Sequence, residues 1–184
     1  MSPAPEAVRR GRAKLLLLAL LFVAPFVLAW LAWRFEWASG QTSNYGELIT
    51  PARPVAGAPL EALRGKWILV TFDAAACDPY CERKLYFMRQ IRRALNDDGE
   101  RVARLWLLTD GGSVSPRLLA AIEGTQVSGA GKLAAHFPAG GTLVDHIYLV
   151  DPHGNLMMRY PRDPDPSRML KDLQRLLRYV RAGW

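Results

Sequence analysis

Trp67-Ile68-Leu69-Val70-Thr71-Phe72-Asp73-Ala74-Ala75-Ala76-Cys77-Asp78-Pro79-Tyr80-Cys81-Glu82 holds, in sixteen residues, a strand, a loop with both cysteines of the chain, and the start of a helix. Trp67–Phe72 is an apolar run without polar alternation, the pattern of a strand covered on both faces, and it implies a central, parallel sheet. Asp78 is a good helix N-cap and Pro79 suits the first helical position, which places Cys81 at N3 and Cys77 just ahead of the cap. Free N–H groups and the helix dipole at N3 favour a thiolate, while the charge of Asp78 opposes one.

Downstream, Leu85, Met88, Ile91, Arg92 and Leu95 recur at helical spacing, so Glu82–Asn96 reads as a helix that stops before Gly99. Val102–Leu108 reads as a second buried strand. Ser115-Pro116 offers a cap and first position for a short helix through Leu118, Leu119 and Ile122, closed by Gly124. Thr125–Thr142 is rich in glycine and has no clear period. His146–Val150 and Leu156–Tyr160 flank the turn Asp151-Pro152-His153-Gly154 and predict a hairpin. Met169, Leu170, Leu173, Leu176, Leu177 and Val180 form one apolar stripe of a last helix, with Lys171, Arg175, Arg178 and Arg181 facing away. Alternating strands and helices establish an α/β layer structure; the order β-α-β-α-β-β-α is that of a thioredoxin-like fold.

Upstream, Leu15–Trp33 contains no charged side chain, and its nineteen residues suffice to cross a hydrocarbon core of about 30 Å. The expected division is a basic tail at 1–14, a transmembrane helix at 15–35, a linker at 36–59 and one globular domain at 60–184. Pro25 is tolerated inside a span, and Trp30, Trp33 and Trp37 fit an interfacial belt. The alternative is a cleaved signal peptide, with Ala38-Ser39-Gly40 as its cleavage site, although the apolar run exceeds a typical signal core. Arg9, Arg10, Arg12 and Lys14 precede the span and only Arg34 closely follows it. The N-terminus is therefore expected in the cytoplasm of a bacterial-type inner membrane and the domain in the periplasm. Pro51, Pro54 and Pro59 lie in Gln41–Pro59, which reads as linker.

The net charge is +7; five basic residues against two acidic ones before Gln41 supply +3 of it. The remaining charges interleave in sign, which argues for a solvated surface and against a nucleic-acid groove. Gly129-Ala130-Gly131-Lys132 lacks the spacing and the hydroxyl of a phosphate loop, and neither GxSxG nor HExxH occurs.

Cys77 and Cys81 form a CxxxC pair. A structural disulfide is one reading, since the exported side is oxidising. A staple across so short a loop removes little chain entropy, however, and a core of this size does not need it. A functional dithiol is the other reading, and thiol-disulfide oxidoreductases mostly use CxxC instead. Asp73 stands just before the cysteines, where a carboxylate can move protons during exchange or cap the loop.

The strand-loop-CxxxC-helix arrangement, the N-terminal anchor, and Asp145-His146 followed by Tyr148-Leu149-Val150-Asp151-Pro152-His153-Gly154 resemble the Sco/SenC family over about 60–183. The resemblance implies a thioredoxin-like fold and copper delivery to, or thiol chemistry at, the binuclear copper site of cytochrome c oxidase. A cytochrome c oxidase subunit or another respiratory assembly protein is the implied partner. By the same resemblance Cys77 and Cys81 are the redox thiols or thiolate ligands and His146 the imidazole ligand of copper. Two thiolates and one imidazole suit Cu(I) better than Zn(II), which is normally closed by four ligands.

Two departures stand out. Glu82-Arg83-Lys84 replaces the family's proline after the second cysteine, and the family's histidine stands about three residues further upstream of the Tyr-Leu segment. An odd shift along a strand reverses the side-chain face. Either a shortened preceding loop restores the position or copper ligation is lost. His136 is a substitute ligand; His153 reads as a turn residue, and Met88, Met157 and Met158 as core. The rival functions are a general membrane-anchored thiol-disulfide oxidoreductase and a docking module with a structural disulfide.

Overall fold

The computed structural model describes residues 5–35, 44–138 and 141–181. The chain divides into two units, Met1–Ser43 and Asn44–Trp184. In the first, α1 (Pro5–Arg34) is one continuous helix through Pro25. Its stretch Arg10–Arg34 is long and apolar enough to cross a membrane, and Leu15–Leu18, Phe22, Phe26, Trp30 and Trp33 are exposed along it. Trp37, the candidate cleavage site and residues 41–43 lie outside the described residues.

The second unit is built on β1 (Glu47–Pro54), α2 (Ala58–Glu61), β2 (Trp67–Asp73), α3 (Pro79–Ala94), β3 (Val102–Leu108), α4 (Pro116–Ala121), β4 (Gln126–Gly129), β5 (Ile147–Val150), β6 (Asn155–Arg159) and α5 (Pro166–Arg181). The sheet order is β1-β6-β5-β2-β3-β4. β2 runs parallel to β3 from Trp67 opposite Val102 to Asp73 opposite Leu108, and antiparallel to β5 with Thr71 opposite Ile147. An interior place with both faces covered is why every residue of β2 is buried and why its sequence shows no alternation.

Alternation along the strands assigns two cores. Val70, Phe72, Leu105, Leu107, Tyr148 and Val150 meet Leu60, Leu133 and Phe137 on one face. Leu69, Leu149 and Met158 meet Met88 and Ile91 of α3 and Met169, Leu173 and Leu177 of α5 on the other. The methionines at 88 and 158 are fully buried packing residues and Met157 is partly buried. Each such apolar side chain contributes roughly 1.5–3 kcal/mol.

The expected elements from Trp67 onward form, with boundaries moved by a few residues; α3 ends at Ala94 and a 3₁₀ turn, Asn96–Arg101, carries the chain into β3. The irregular region acquires β4 and a 3₁₀ turn at Gly131–His136. The linker reading needs correction. β1 pairs antiparallel with β6 on the sheet edge, Val55 is buried, and the folded unit begins at Asn44. Two N–H groups fasten this start: Tyr45 and Gly46 donate to the buried Asp172 of α5, Gly46 at 2.9 Å. Prolines are tolerated in β1 because an edge strand need not donate from every residue.

Candidate redox site

Cys77 and Cys81 lie where β2 gives way to α3. Asp78 is the N-cap, its Oδ1 accepting from the Cys81 N–H at 2.8 Å, and Pro79 opens the helix, as the sequence predicts. Cys77 has a φ of 43°, and its N–H donates to the Ala74 carbonyl. This tight turn brings the two Cα atoms to 5.2 Å, and the sulfurs are joined in a disulfide. The pair rests on Leu85, Trp106 and Ile122. Cys81 is 1% exposed and Cys77 8%, so Cys77 is the more exposed of two buried cysteines. The cysteine loop is also tied to the loop after β3, since Ala75 N–H donates to Asp110 Oδ1 at 3.0 Å. Beside the disulfide an open groove between α3 and α4 is lined by Ala76, Glu82, Leu85, Tyr86, Leu118 and Ile122, among others.

Asp73 ends β2 directly ahead of the cysteine loop, and its Oδ2 lies 2.8 Å from Lys84 Nζ. Both side chains are buried. Thr71 Oγ1 donates to the same carboxylate, and Lys84 also donates to the carbonyls of Phe72 and Val144. Burial raises the Asp73 pKa and lowers that of Lys84, each against the pull of its partner. Lys84 stands one helical turn beyond Cys81. In the sequence Lys84 stands out only as part of a departure from the family pattern. A further signal is present there: position 84 shares the helix face of Cys81, Leu85 and Met88, so a lysine at that place needs a buried partner. Tyr80 carries no such signal. Its O–H donates to the Asp145 carbonyl at 2.9 Å and its ring lies under Lys84 and Arg162; burial first, then nearby carboxylates, raise its pKa.

The structure does not bring His146 to the cysteines. His146 is extended, with φ −122° and ψ 151°, and its ring packs edge-on against Tyr148 two residues later. Tyr148 belongs to the core of the face opposite α3, whereas the cysteines pack with Trp106 on the α3 face. Nδ1 of His146 lies 2.8 Å from the Tyr160 carbonyl. Of the two outcomes left open for the shifted histidine, its ring takes the one in which it shares the side of Tyr148. His136 is exposed at the end of its 3₁₀ turn and His153 is exposed in the hairpin turn. Among the described residues no three His, Cys, Asp or Glu side chains are grouped so as to hold a metal ion. The three-ligand set Cys77, Cys81 and His146 is therefore not assembled, and a disulfide offers copper no thiolate.

The family model described as transmembrane-like, thioredoxin-like, C-terminal domain matches residues 67–180. The chain belongs to this family. The match spans the sheet from β2 onward, both cysteines and most of α5; the apolar helix precedes it. No curated protein matches the sequence. Among solved structures the domain is similar to apo Sco1 of Thermus thermophilus, at 20% identity over 74% of this chain and 99% of that one, with a TM-score of 0.55. It is similar to yeast Sco1 with copper bound at 17% identity, 79% and 97% coverage and a TM-score of 0.54. Bradyrhizobium japonicum ScoI with copper bound gives 21% identity, 62% and 87% coverage and a TM-score of 0.51. At such identities these likenesses establish the fold, which is thioredoxin-like, with a helix fit to anchor it.

Proposed function

We propose that this chain is a membrane-anchored, Sco-like dithiol that exchanges disulfides with partner cysteines, and that the partner is the binuclear copper site of cytochrome c oxidase during its assembly. The single observation that carries the exchange reading is the placement of the disulfide: it sits at the N-terminus of α3, with Cys77 the more exposed member and, among the described residues, no third metal ligand grouped with it. In the forward reaction the Cys77 thiolate attacks one sulfur of a partner disulfide, and the other partner sulfur leaves as a thiolate. Cys81, deprotonated, then attacks the Cys77 sulfur and frees the second partner thiol. The partner gains two electrons and this domain ends as the disulfide, which a separate dithiol reductant must restore. This reading assigns to Asp73, at the end of β2, and Lys84, one turn beyond Cys81 on α3, the task of taking and returning the Cys81 proton.

Copper delivery is the second reading, and the copper-bound Sco proteins of the same fold favour it. Here copper is cargo. Reduced Cys77 and Cys81 can hold Cu(I) as two thiolates, a donor set that this soft ion accepts; His146 joins only if its ring leaves Tyr148 and the Tyr160 carbonyl. Arg9, Arg10, Arg12 and Lys14 in the first turns of α1, ahead of its apolar run, and the single Arg34 at its end support a cytoplasmic N-terminus and a periplasmic domain in a bacterial-type inner membrane.

The test is to incubate the reduced full chain, in uncharged detergent, with an oxidised copper-site domain of the oxidase and to count the partner thiols by alkylation. Two new partner thiols per domain, lost in Cys77→Ser, is the expected result. Unreacted partner disulfide alongside tight Cu(I) retention by the reduced chain would replace exchange with delivery.

A further inference from the structure

Arg104 lies in the middle of β3, opposite Leu69, on the face covered by α3, and is 3% exposed. One of its nitrogens, Nη2, donates to the Glu123 carbonyl at 2.6 Å. Its Nε and Nη1 are buried without a hydrogen-bond partner among the described residues. A buried guanidinium with unmet donors is costly, and its surroundings make the cost larger. Arg104 lines a cleft of about 250 Å³ with Arg89, Arg92, Arg93, Glu123 and Gly124. Burial and then the charges of Arg92, Arg89 and Arg93 push the Arg104 pKa down to about 10.

Contacts within the protein offset only part of this charge. Arg92 Nε donates to the Gly99 and Val102 carbonyls, and Arg89 Nη1 to the Ala121 carbonyl; these bonds fix the side chains but neutralise nothing. Arg92 and Arg93 stand in the last turn of α3, where the helix dipole offsets about half a charge. Among the described residues, four guanidiniums against the single carboxylate of Glu123 leave +3 along the cleft. Gly124 keeps the wall open: it has φ +76°, and a Cβ there would stand 3.0 Å from Arg104 Nη2.

We propose that this cleft binds a phosphate group, held by Arg104 from below and by the forks of Arg89, Arg92 and Arg93 at its rim. Arginine matches phosphate with paired, charge-assisted hydrogen bonds. A doubly charged oxyanion supplies the countercharge that the cleft lacks and several acceptors for the guanidiniums that line it. The phosphate is that of a soluble phosphate compound or of an anionic lipid headgroup. The site lies apart from the disulfide, and only Arg89 lines both the groove beside the cysteines and this cleft; the proposal does not depend on the redox reading.

The test uses the full chain in uncharged detergent, titrated with inorganic phosphate by calorimetry at fixed ionic strength, with chloride as the control. Saturable binding of one phosphate is expected, weakened about tenfold or more in the exposed variant Arg93→Ala and in Arg104→Met, as loss of a charge-assisted contact requires. The same titration in nanodiscs separates the sources. Equal phosphate affinity in phosphatidylcholine and phosphatidylglycerol discs assigns the cleft to a soluble phosphate. Competition by phosphatidylglycerol assigns it to a lipid headgroup. No binding beyond the chloride control, or binding untouched by both substitutions, overturns the proposal. So does binding of a hexaglutamate peptide where phosphate fails, since the cleft would then serve an acidic protein segment.

Discussion

Asp73 and Lys84 carry opposite charges 2.8 Å apart in a place both charges are reluctant to occupy. Removing one partner of such a pair typically costs about 3–5 kcal/mol, because the other is left buried and uncompensated. For Lys84→Met the loss should depend on pH. Burial already raises the Asp73 pKa, and without Lys84 the value rises further above its unfolded value of about 3.9. The folded state then binds the proton more tightly than the unfolded one, so the variant is most stable below about pH 4 and loses stability as pH rises through the folded value. Urea melts from acid to neutral pH check this; Asp73→Asn combined with Lys84→Met should restore most of the loss and flatten the profile. A second expectation concerns His146. With its ring against Tyr148 and the Tyr160 carbonyl, His146→Ala should leave the Cu(I) affinity of the reduced chain unchanged in a competition assay, while Cys77→Ser and Cys81→Ser lose it. A drop with His146→Ala would mean that the ring turns over when copper binds. At this scale the helix start is legible in the sequence, because Asp78, Pro79 and Cys81 act through local backbone geometry. The partner of Lys84 and the direction of His146 are not, since they depend on the neighbouring strand and on which sheet face it presents.

Elements are legible in proportion to how completely they are buried. β2 announces itself by its apolar run, β3 by apolar residues on both sides of Arg104, and α5 by its stripe, of which only the Val180 side chain lies outside the described residues. β1 is hidden because an edge strand exposes most of its side chains and its prolines imitate a linker. Its attachment is equally illegible: Asp172 sits in the middle of α5 and accepts from Tyr45 and Gly46, 127 and 126 residues away. Asp172→Ala leaves two N–H groups at this junction unpaired and should cost about 1–3 kcal/mol. A chain starting at Leu60, which lacks β1, should unfold at lower urea than one starting at Asn44 and should expose the β6 edge to aggregation. Equal midpoints would show that β1 adds nothing to the folded unit.

For the whole molecule, the apolar helix can be read from the sequence because a membrane span needs a length of apolar residues that few other elements have, and the thioredoxin-like order because strand and helix periods fix the succession of elements, though the βαβ unit alone is common to many α/β folds. A periplasm-sensitive reporter fused after Trp184 should be active and a cytoplasm-sensitive one silent; the reverse would place the domain on the other side of the membrane. The central claim is that the disulfide exchanges and that Cys77 is the sulfur through which it does so. Its most direct measurement is the intact mass of the native full-length single-cysteine variants during incubation with glutathione disulfide. Cys81→Ser should gain one glutathione on Cys77 at least about tenfold faster than Cys77→Ser gains one on the buried Cys81, because reaction follows thiolate access. Equal rates, or no adduct on either variant until denaturant is added, would contradict the account and leave Cys77–Cys81 a structural bond.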